Sequence, residues 1–393
     1  MTLRELQQQA DAEWMSYGPP EEGGAEIAAT FGHYPAEYAA IRQRVGIAHL
    51  PQRGLVRLTG ADAADFLHRL VSQDINGLQP GRTRRALQLT AKGRIVADLL
   101  VHRREDGLLV ETDRIDVPQL TEVLSSRLFA EDVIMEEISG SCTALSLHGP
   151  AALALLRASS EAADELADGL EPGENREVLL LGRTVLVHRR DVCGVMGLHL
   201  WAEAESAAEL WQALLEKAGF DAEAEREADE QYAQRRRQTL RGRPVGWMAI
   251  NTCRIEAGTP MFHIDFGPDS LPGEVVPVQE EAVSFSKGCY LGQEIVARMQ
   301  SLGHPARVLV ALELGTDKLP VAGTQVLDPQ DPTEVIGGIT SSALSPVQGN
   351  VAIALAMMKW DRHEPGSKVA VIAEQTAIEG EVRPIGAASE EPE

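Results

Sequence analysis

Thirteen consecutive residues, from Ser286 to Arg298, carry a thiol (Cys289), a phenol (Tyr290), a carboxamide (Gln293), a carboxylate (Glu294) and two cations (Lys287 and Arg298). Cations near a thiol favour the thiolate, its nucleophilic and metal-binding form. A lone cysteine is otherwise more often a small buried hydrophobe. Gly288 and Gly292 on either side of Cys289-Tyr290 predict a tight backbone path that brings main chain close to another segment. Glu294 and Arg298, four apart with the acid first, also have an ordinary reading as an ion pair on a helix surface. Gln293 and Glu294 suit the first turn of that helix. No histidine lies nearby in sequence to serve Cys289 as a base.

Two other runs hold reactive groups. In Arg254-Ile255-Glu256-Ala257-Gly258-Thr259-Pro260, a strand would put Arg254 and Glu256 on one face. A carboxylate there accepts paired N–H donors of an aminopyrimidine-type ring, and an arginine suits an anionic tail. A cross-strand salt bridge explains the pair equally well. His263 and Asp265 follow but are too few for a metal site. In Lys92-Gly93-Arg94-Ile95-Val96-Ala97-Asp98, Gly93 marks a turn opening a strand. Asp98 is then either solvent-facing or a buried carboxylate of altered proton affinity.

The chain that must position these groups has 393 residues, which predicts two or three domains. Its formal charge of −23 argues against a nucleic-acid surface, since phosphate neutralisation needs clustered Lys and Arg. The short basic runs Arg82-Arg84-Arg85 and Arg235-Arg236-Arg237 read as solvated faces, the first with an anionic small ligand as its alternative. Cys142, Cys193, Cys253 and Cys289 are scattered, without CxxC or Cys/His spacing, so no metal site and no disulfide scaffold are expected. No apolar run approaches the roughly 20 residues of a membrane span, and the first residues lack a basic or apolar leader. A cytoplasmic protein is expected.

Residues 1–30 read as an acidic lead-in, with Pro19-Pro20 and Gly23-Gly24 breaking any helix. A first α+β half spans 31–140, with a helix over 62–72 and strands at 55–58, 85–89, 95–102 and 107–112. A second, 141–300, repeats the strand–helix alternation and carries the Arg254 and Cys289 motifs. Beyond Gly303, short β-rich runs at 308–314, 335–341, 351–357 and 368–372 predict a small barrel over 301–385. Residues 386–393 form an acidic tail.

These residues together resemble the folate-binding superfamily of the glycine-cleavage T-protein (aminomethyltransferase), and most of all its YgfZ branch, which is linked to iron–sulfur cluster assembly. The branch signature Lys-Gly-Cys-Tyr/Phe-x-Gly-Gln-Glu-x-x-x-Arg is matched at Lys287, Gly288, Cys289, Tyr290, Gly292, Gln293, Glu294 and Arg298. Arg42 to Asp74 is similar to the opening segment of the superfamily, and Arg254–Pro260 to its Arg-Leu-Glu-Ala-Gly run. Ile339-Thr340-Ser341 through Ser345-Pro346 resembles its Val-Thr-Ser…Ser-Pro. The resemblance implies an α+β fold: a three-domain ring of two related α/β halves plus a C-terminal small β-barrel, around a pocket for tetrahydrofolate or a one-carbon derivative.

By the same resemblance, Glu256 binds the pterin ring. Arg254, Lys287, Tyr290, Gln293, Glu294 and Arg298 belong to the cofactor-binding set, and Cys289 is the functional thiol. The implied function is support of iron–sulfur cluster assembly or repair, with folate and iron–sulfur assembly or client proteins as partners of a monomer. The alternative is a folate-dependent aminomethyltransferase or related demethylase, with Asp98 as the polarising acid. Aminomethyltransferases typically show Asp-Asp where this chain has Ala97-Asp98.

Overall fold

The computed structural model describes residues 1–161, 163–227 and 239–386. The run Arg235-Arg236-Arg237 and the tail beyond residue 386 lie outside the described residues. The chain forms two compact units. The first comprises Met1–Phe66, Ile75–Arg84 and Leu100–Ile250, the second Leu67–Asp74, Arg85–Leu99 and the chain from Asn251 onward.

Residues 1–30 are not the helix-free lead-in expected from their breakers. They form helix α1 (Leu3–Gln9) and a hairpin of β1 (Glu13–Tyr17) and β2 (Ala25–Thr30). The helix starts on a capping box, in which the Glu5 N–H donates to the Thr2 hydroxyl and the Thr2 N–H to the Glu5 carboxylate. Leu3 and Leu6 then pack on the core of the first unit. The helix stops at Gln9, ahead of Asp11 in the left-handed region (φ 64°), and Pro19-Pro20 and Gly23-Gly24 lie in the hairpin loop between β1 and β2.

After α2 (Tyr34–Gln43) come β3 (Gly46–His49), β4 (Arg53–Thr59), α3 (Ala63–Leu70), β5 (Thr83–Leu89), β6 (Ile95–Arg104), β7 (Gly107–Asp113), α4 (Val117–Ser125) and β8 (Ile134–Glu137). A five-stranded sheet has the order β5-β6-β7-β4-β8. The next elements are β9 (Cys142–His148), α5 (Ala152–Ser159), β10 (Asn175–Leu180), β11 (Arg183–Arg189), β12 (Gly197–Glu203), α6 (Ala207–Ala218), α7 (Ala222–Glu227), β13 (Arg243–Pro244) and α8 (Trp247–Glu256). They build a six-stranded sheet, β10-β11-β12-β9-β3-β13. Helix α6 buries Leu210, Trp211, Leu214, Leu215 and Ala218, the spacing of one helical face, and stops at Gly219 in the left-handed region (φ 78°).

The second unit continues with α9 (Val276–Ala282) and α10 (Gln293–Leu302), then β14 (Arg307–Glu313), β15 (Gln325–Leu327), β16 (Val335–Ser345), β17 (Val351–Lys359), β18 (Lys368–Ala373) and β19 (Thr376–Arg383). These six strands close into a barrel in the order β14-β17-β16-β15-β18-β19, with β19 paired back to β14. Closure leaves no strand edge exposed for pairing with another chain. Four of its strands lie where the sequence predicts them. The other two, β15 and β19, are a three-residue strand and a run that alternates charged with apolar residues, too short or too polar to stand out. A core of Leu87, Leu89, Ile95, Ile255, Phe262, Val275, Tyr290 and Val296 packs with Leu309, Ile353 and Leu355 of the barrel. The reactive motifs therefore share one apolar support. Among the described residues no helix is long and apolar enough to cross a membrane.

Candidate functional site

The loop before α10 is fastened by Lys287. Its ammonium donates to the carbonyls of Val71 at 2.6 Å and Gln73 at 3.1 Å, and also to that of His68. Carbonyls just past a helix end have no intrahelical partner, so a lysine here caps α3 from a segment more than 200 residues away. Burial pushes the Lys287 ammonium down to about 8, with Asp74 opposing the shift. The same nitrogen lies 5.1 Å from the Tyr290 ring centroid. Tyr290 is buried, and burial pushes its phenol up to about 12, so it is a protonated donor at neutral pH.

Gln293 is a local brace. Its side-chain oxygen accepts from the Tyr290 N–H at 3.4 Å, and its own N–H donates to the Tyr290 carbonyl at 3.3 Å. Glu294 and Arg298 are exposed on α10, and no ion pair joins them among the described residues. The helix-surface pair expected from their spacing is absent. Cys289 is exposed between these anchors. The Lys287 ammonium is engaged by three carbonyls, and no hydrogen bond joins Cys289 to Lys287 or Arg298 among the described residues.

The Lys92–Asp98 run meets this loop. The Gly93 N–H donates to the Thr90 carbonyl at 2.9 Å, closing the predicted turn. Gly292, at φ 84°, sits on that turn: a Cβ placed there would lie 2.5 Å from the Thr90 carbonyl oxygen and 3.0 Å from Gly93 Cα. The close approach predicted by the glycines is thus real at Gly292. At Gly288 it is not, since nothing lies within 4 Å of an added Cβ.

Asp98 is neither solvent-facing nor isolated. Arg85 grips it with a two-pronged contact, Nε to Oδ1 at 2.8 Å and Nη2 to Oδ2 at 2.5 Å, while Nη1 donates to Glu281 at 2.8 Å. Burial opposes the guanidinium charge, but the two carboxylates overcome it and push its pKa upward. Arg85 is therefore a buried structural cation rather than part of a solvated basic face. Ala97, where the second acid would stand, is buried.

Arg254 and Glu256 close helix α8, not a strand, so the period-two argument for them fails. Arg254 is fully buried. Its Nη1 donates to Asp265 at 2.6 Å and to the Thr259 carbonyl at 3.2 Å, and its Nε to Asn251 at 2.9 Å. Its Nη2 has no hydrogen-bond partner among the described residues. The Asp265 carboxylate is further held by the Met261 N–H and by the hydroxyls of Thr340 (2.8 Å) and Ser341 (2.6 Å). Glu256 accepts from Ser345 at 2.6 Å. Barrel strand β16 therefore delivers both halves of the Thr340–Ser345 motif onto the Arg254–Glu256 motif. The result is a buried guanidinium with the two N–H groups of Nη2 to spare and a partly exposed carboxylate at the end of the same helix, groups suited to a ligand oxygen and to ligand N–H donors.

Residues 6–226 match the family described as the GCVT N-terminal domain. The chain belongs to that family. Relatives named aminomethyltransferase match most of its span. That of Shouchella clausii is 28% identical over 90% of this chain and 88% of its own, and that of Cutibacterium acnes 27% identical over 86% and 85%. The crystal structure of glycine cleavage system aminomethyltransferase T from Bartonella henselae superposes with a TM-score of 0.78 at 20% identity, covering 98% of this chain and 97% of that one. The T-protein fold, α+β with a C-terminal barrel, is thus the fold of this family member.

Sequence spacing marks Arg85 only as part of a basic run, gives Asp265 nothing beyond an incomplete pair with His263, and does not mark Glu281. Glu281 lies 196 residues from Arg85, and no local pattern announces the contact. A thiol's reactivity also needs access, and here the four cysteines differ sharply: Cys193 and Cys253 are buried, Cys142 is half-buried and Cys289 is exposed. Iodoacetamide labelling followed by peptide mass spectrometry is expected to modify Cys289 at least about tenfold faster than Cys193 or Cys253. A slower rate at Cys289 than at either would contradict the arrangement.

Proposed function

We propose that this chain binds tetrahydrofolate or a one-carbon derivative and handles one-carbon units in the manner of the aminomethyltransferases it resembles. The observation that supports this reading is the pair of spare Nη2 N–H groups of buried Arg254 beside Glu256 on the end of α8. In the reading, Glu256 accepts from the pterin's amino and ring N–H groups, and Arg254 takes a ligand oxygen. The cofactor supplies an amine nitrogen that carries the one-carbon unit. Asp98, gripped by Arg85, serves as a fixed negative charge. Lys287 fastens the Cys289 loop to the end of α3, Gln293 braces it at Tyr290, and Gly292 lets it rest on the Lys92–Asp98 hairpin. Glu294 and Arg298 present charge on its exposed side.

One observation favours a second reading, the YgfZ-type support of iron–sulfur clusters in client enzymes. The accessible groups of the motif are the Cys289 thiol and the α10 charges, whereas Asp98 is committed to Arg85. A thiol on an anchored, exposed loop suits contact with a cluster or a client better than proton transfer inside a pocket.

Calorimetric titration of tetrahydrofolate tests the shared part. Wild type should bind, and Glu256→Ala should bind at least about tenfold more weakly, the loss of one charge-assisted pair. Equal, negligible binding by both would sink the folate reading. Methylene transfer from an aminomethylated carrier protein then separates the two. Turnover that survives Cys289→Ser and collapses in Asp98→Asn establishes the transferase. No turnover, together with iron–sulfur enzyme activities that fall on gene deletion and return with wild type but not with Cys289→Ala, establishes the second reading.

A further inference from the structure

The first unit buries four histidines in a row. Ring centroids are 4.5 Å apart for His102 and His188, 5.1 Å for His188 and His199, and 6.0 Å for His199 and His148. His102 on β6 and His188 on β11 both direct Nε2 at one oxygen of Glu111 on β7, at 3.3 and 3.1 Å. Trp201 on β12 donates its indole N–H to that same oxygen at 2.8 Å. All four side chains are buried.

Three nitrogens therefore crowd one oxygen with two lone pairs. Trp201 must donate, because an indole nitrogen has no acceptor form. If both imidazoles also donated, the oxygen would be over-subscribed. If one turned its lone pair toward the carboxylate, the contact would be repulsive unless a cation stood between. The other Glu111 oxygen is taken by Arg53 Nε at 2.9 Å, and Arg53 is itself divided between Glu111 and Asp113. Glu111 thus keeps negative charge to offer.

On His102 the outer contacts match those of a ligand shell, while His188 Nδ1 has no hydrogen-bond partner among the described residues. His102 Nδ1 lies 2.9 Å from the Thr83 hydroxyl, which also accepts from Asn175 Nδ2 at 3.1 Å. Arg104 donates to Asn175 Oδ1 at 3.3 Å and so sets which end of the amide faces Thr83. With Nδ1–H donating to the Thr83 hydroxyl, His102 would turn its Nε2 lone pair toward Glu111, the arrangement that ligating histidines adopt. The three ligand atoms lie within 4.8 Å of one another. In a tetrahedral zinc site with bonds of about 2.0–2.2 Å, neighbouring ligand atoms sit about 3.3 Å apart, close to the 3.3 and 3.1 Å from Glu111 Oε2 to the two imidazoles.

We propose that His102 Nε2, His188 Nε2 and Glu111 Oε2 bind one divalent transition-metal ion of the zinc class. The site stands apart from the folate reading and uses none of its residues. Its role is structural, tying β6, β7 and β11 together, because every ligand is buried away from solvent. The sequence does not announce it: the ligands come from three strands, with no cysteine and no HxxxH spacing.

A buried site is filled as the chain folds. The full chain is therefore produced in minimal medium with zinc and, separately, with cobalt, dialysed, and its metal content measured by mass spectrometry. Wild type should hold about one ion per chain, and His102→Gln and His188→Gln less than about a tenth of that. The cobalt form should show the visible bands of a tetrahedral nitrogen and oxygen site. Thr83→Val should weaken retention about 10–100-fold in competition with a chelator. Wild-type protein that folds with less than about a tenth of an ion overturns the proposal and leaves a shared proton at the imidazoles. Full metal content in both histidine variants overturns it as well.

Discussion

Arg254→Met lowers the stability of the second unit by about 3–5 kcal/mol, the cost of leaving a buried carboxylate without its cation. Methionine replaces the aliphatic length but not the charge. Asp265, 2% exposed, then keeps only the Met261 N–H and the hydroxyls of Thr340 and Ser341. For a unit of this size that loss corresponds to a fall of roughly 6–20 °C in its melting temperature, readable by calorimetry as a shift of one transition. The double variant Arg254→Met/Asp265→Leu should recover much of it, because it removes the stranded charge. A single-variant loss below about 1 kcal/mol would show that water reaches Asp265 and that the pair is not a buried one.

The second large effect lies in the thiol loop. Gly292→Ala forces a non-glycine residue to φ 84° and drives its Cβ against two backbone atoms, the Thr90 oxygen and Gly93 Cα, neither of which can rotate away. Left-handed backbone costs about 1–2 kcal/mol for alanine, and the displaced hairpin adds to it. We expect about 2–4 kcal/mol of local destabilisation. Hydrogen exchange over 286–298 should accelerate accordingly, by roughly 30-fold or more. Gly288→Ala is the control: its Cβ meets nothing within 4 Å, so exchange there should stay within about threefold of wild type. Equal effects of the two variants would mean that Gly292 does not rest on the hairpin.

Much of this arrangement is legible without coordinates because it rests on local chemistry. The Gly93 turn, the helix that follows Gly292 and the four longer barrel strands come from residue spacing and turn residues, which act over a few positions. Where an expectation fails, a competing interaction is responsible. Arg254 and Glu256 fit a period of two, yet they end a helix whose run from Trp247 has no Pro or Gly to stop it. The first 30 residues hold strong breakers, but the Thr2–Glu5 capping box and the apolar Leu3 and Leu6 support a helix ahead of them.

The chain by itself determines the α+β character and the C-terminal barrel, since each follows from patterns within short windows. Only the tertiary structure decides what the reactive groups are paired with. Lys287 looks like a neighbour for the thiol and proves to be a cap on α3. Asp98 looks like a lone acid and proves to be held by Arg85, which also reaches Glu281. β3 leaves its sequence neighbours to pair between β9 and β13, and His102, Glu111 and His188 meet from three separate strands. The physical reason is common to all of these. Charge neutralisation, helix capping and strand pairing are satisfied by whichever partner folding brings within about 3 Å, and that partner is often a hundred or more residues away, beyond any spacing a sequence can display.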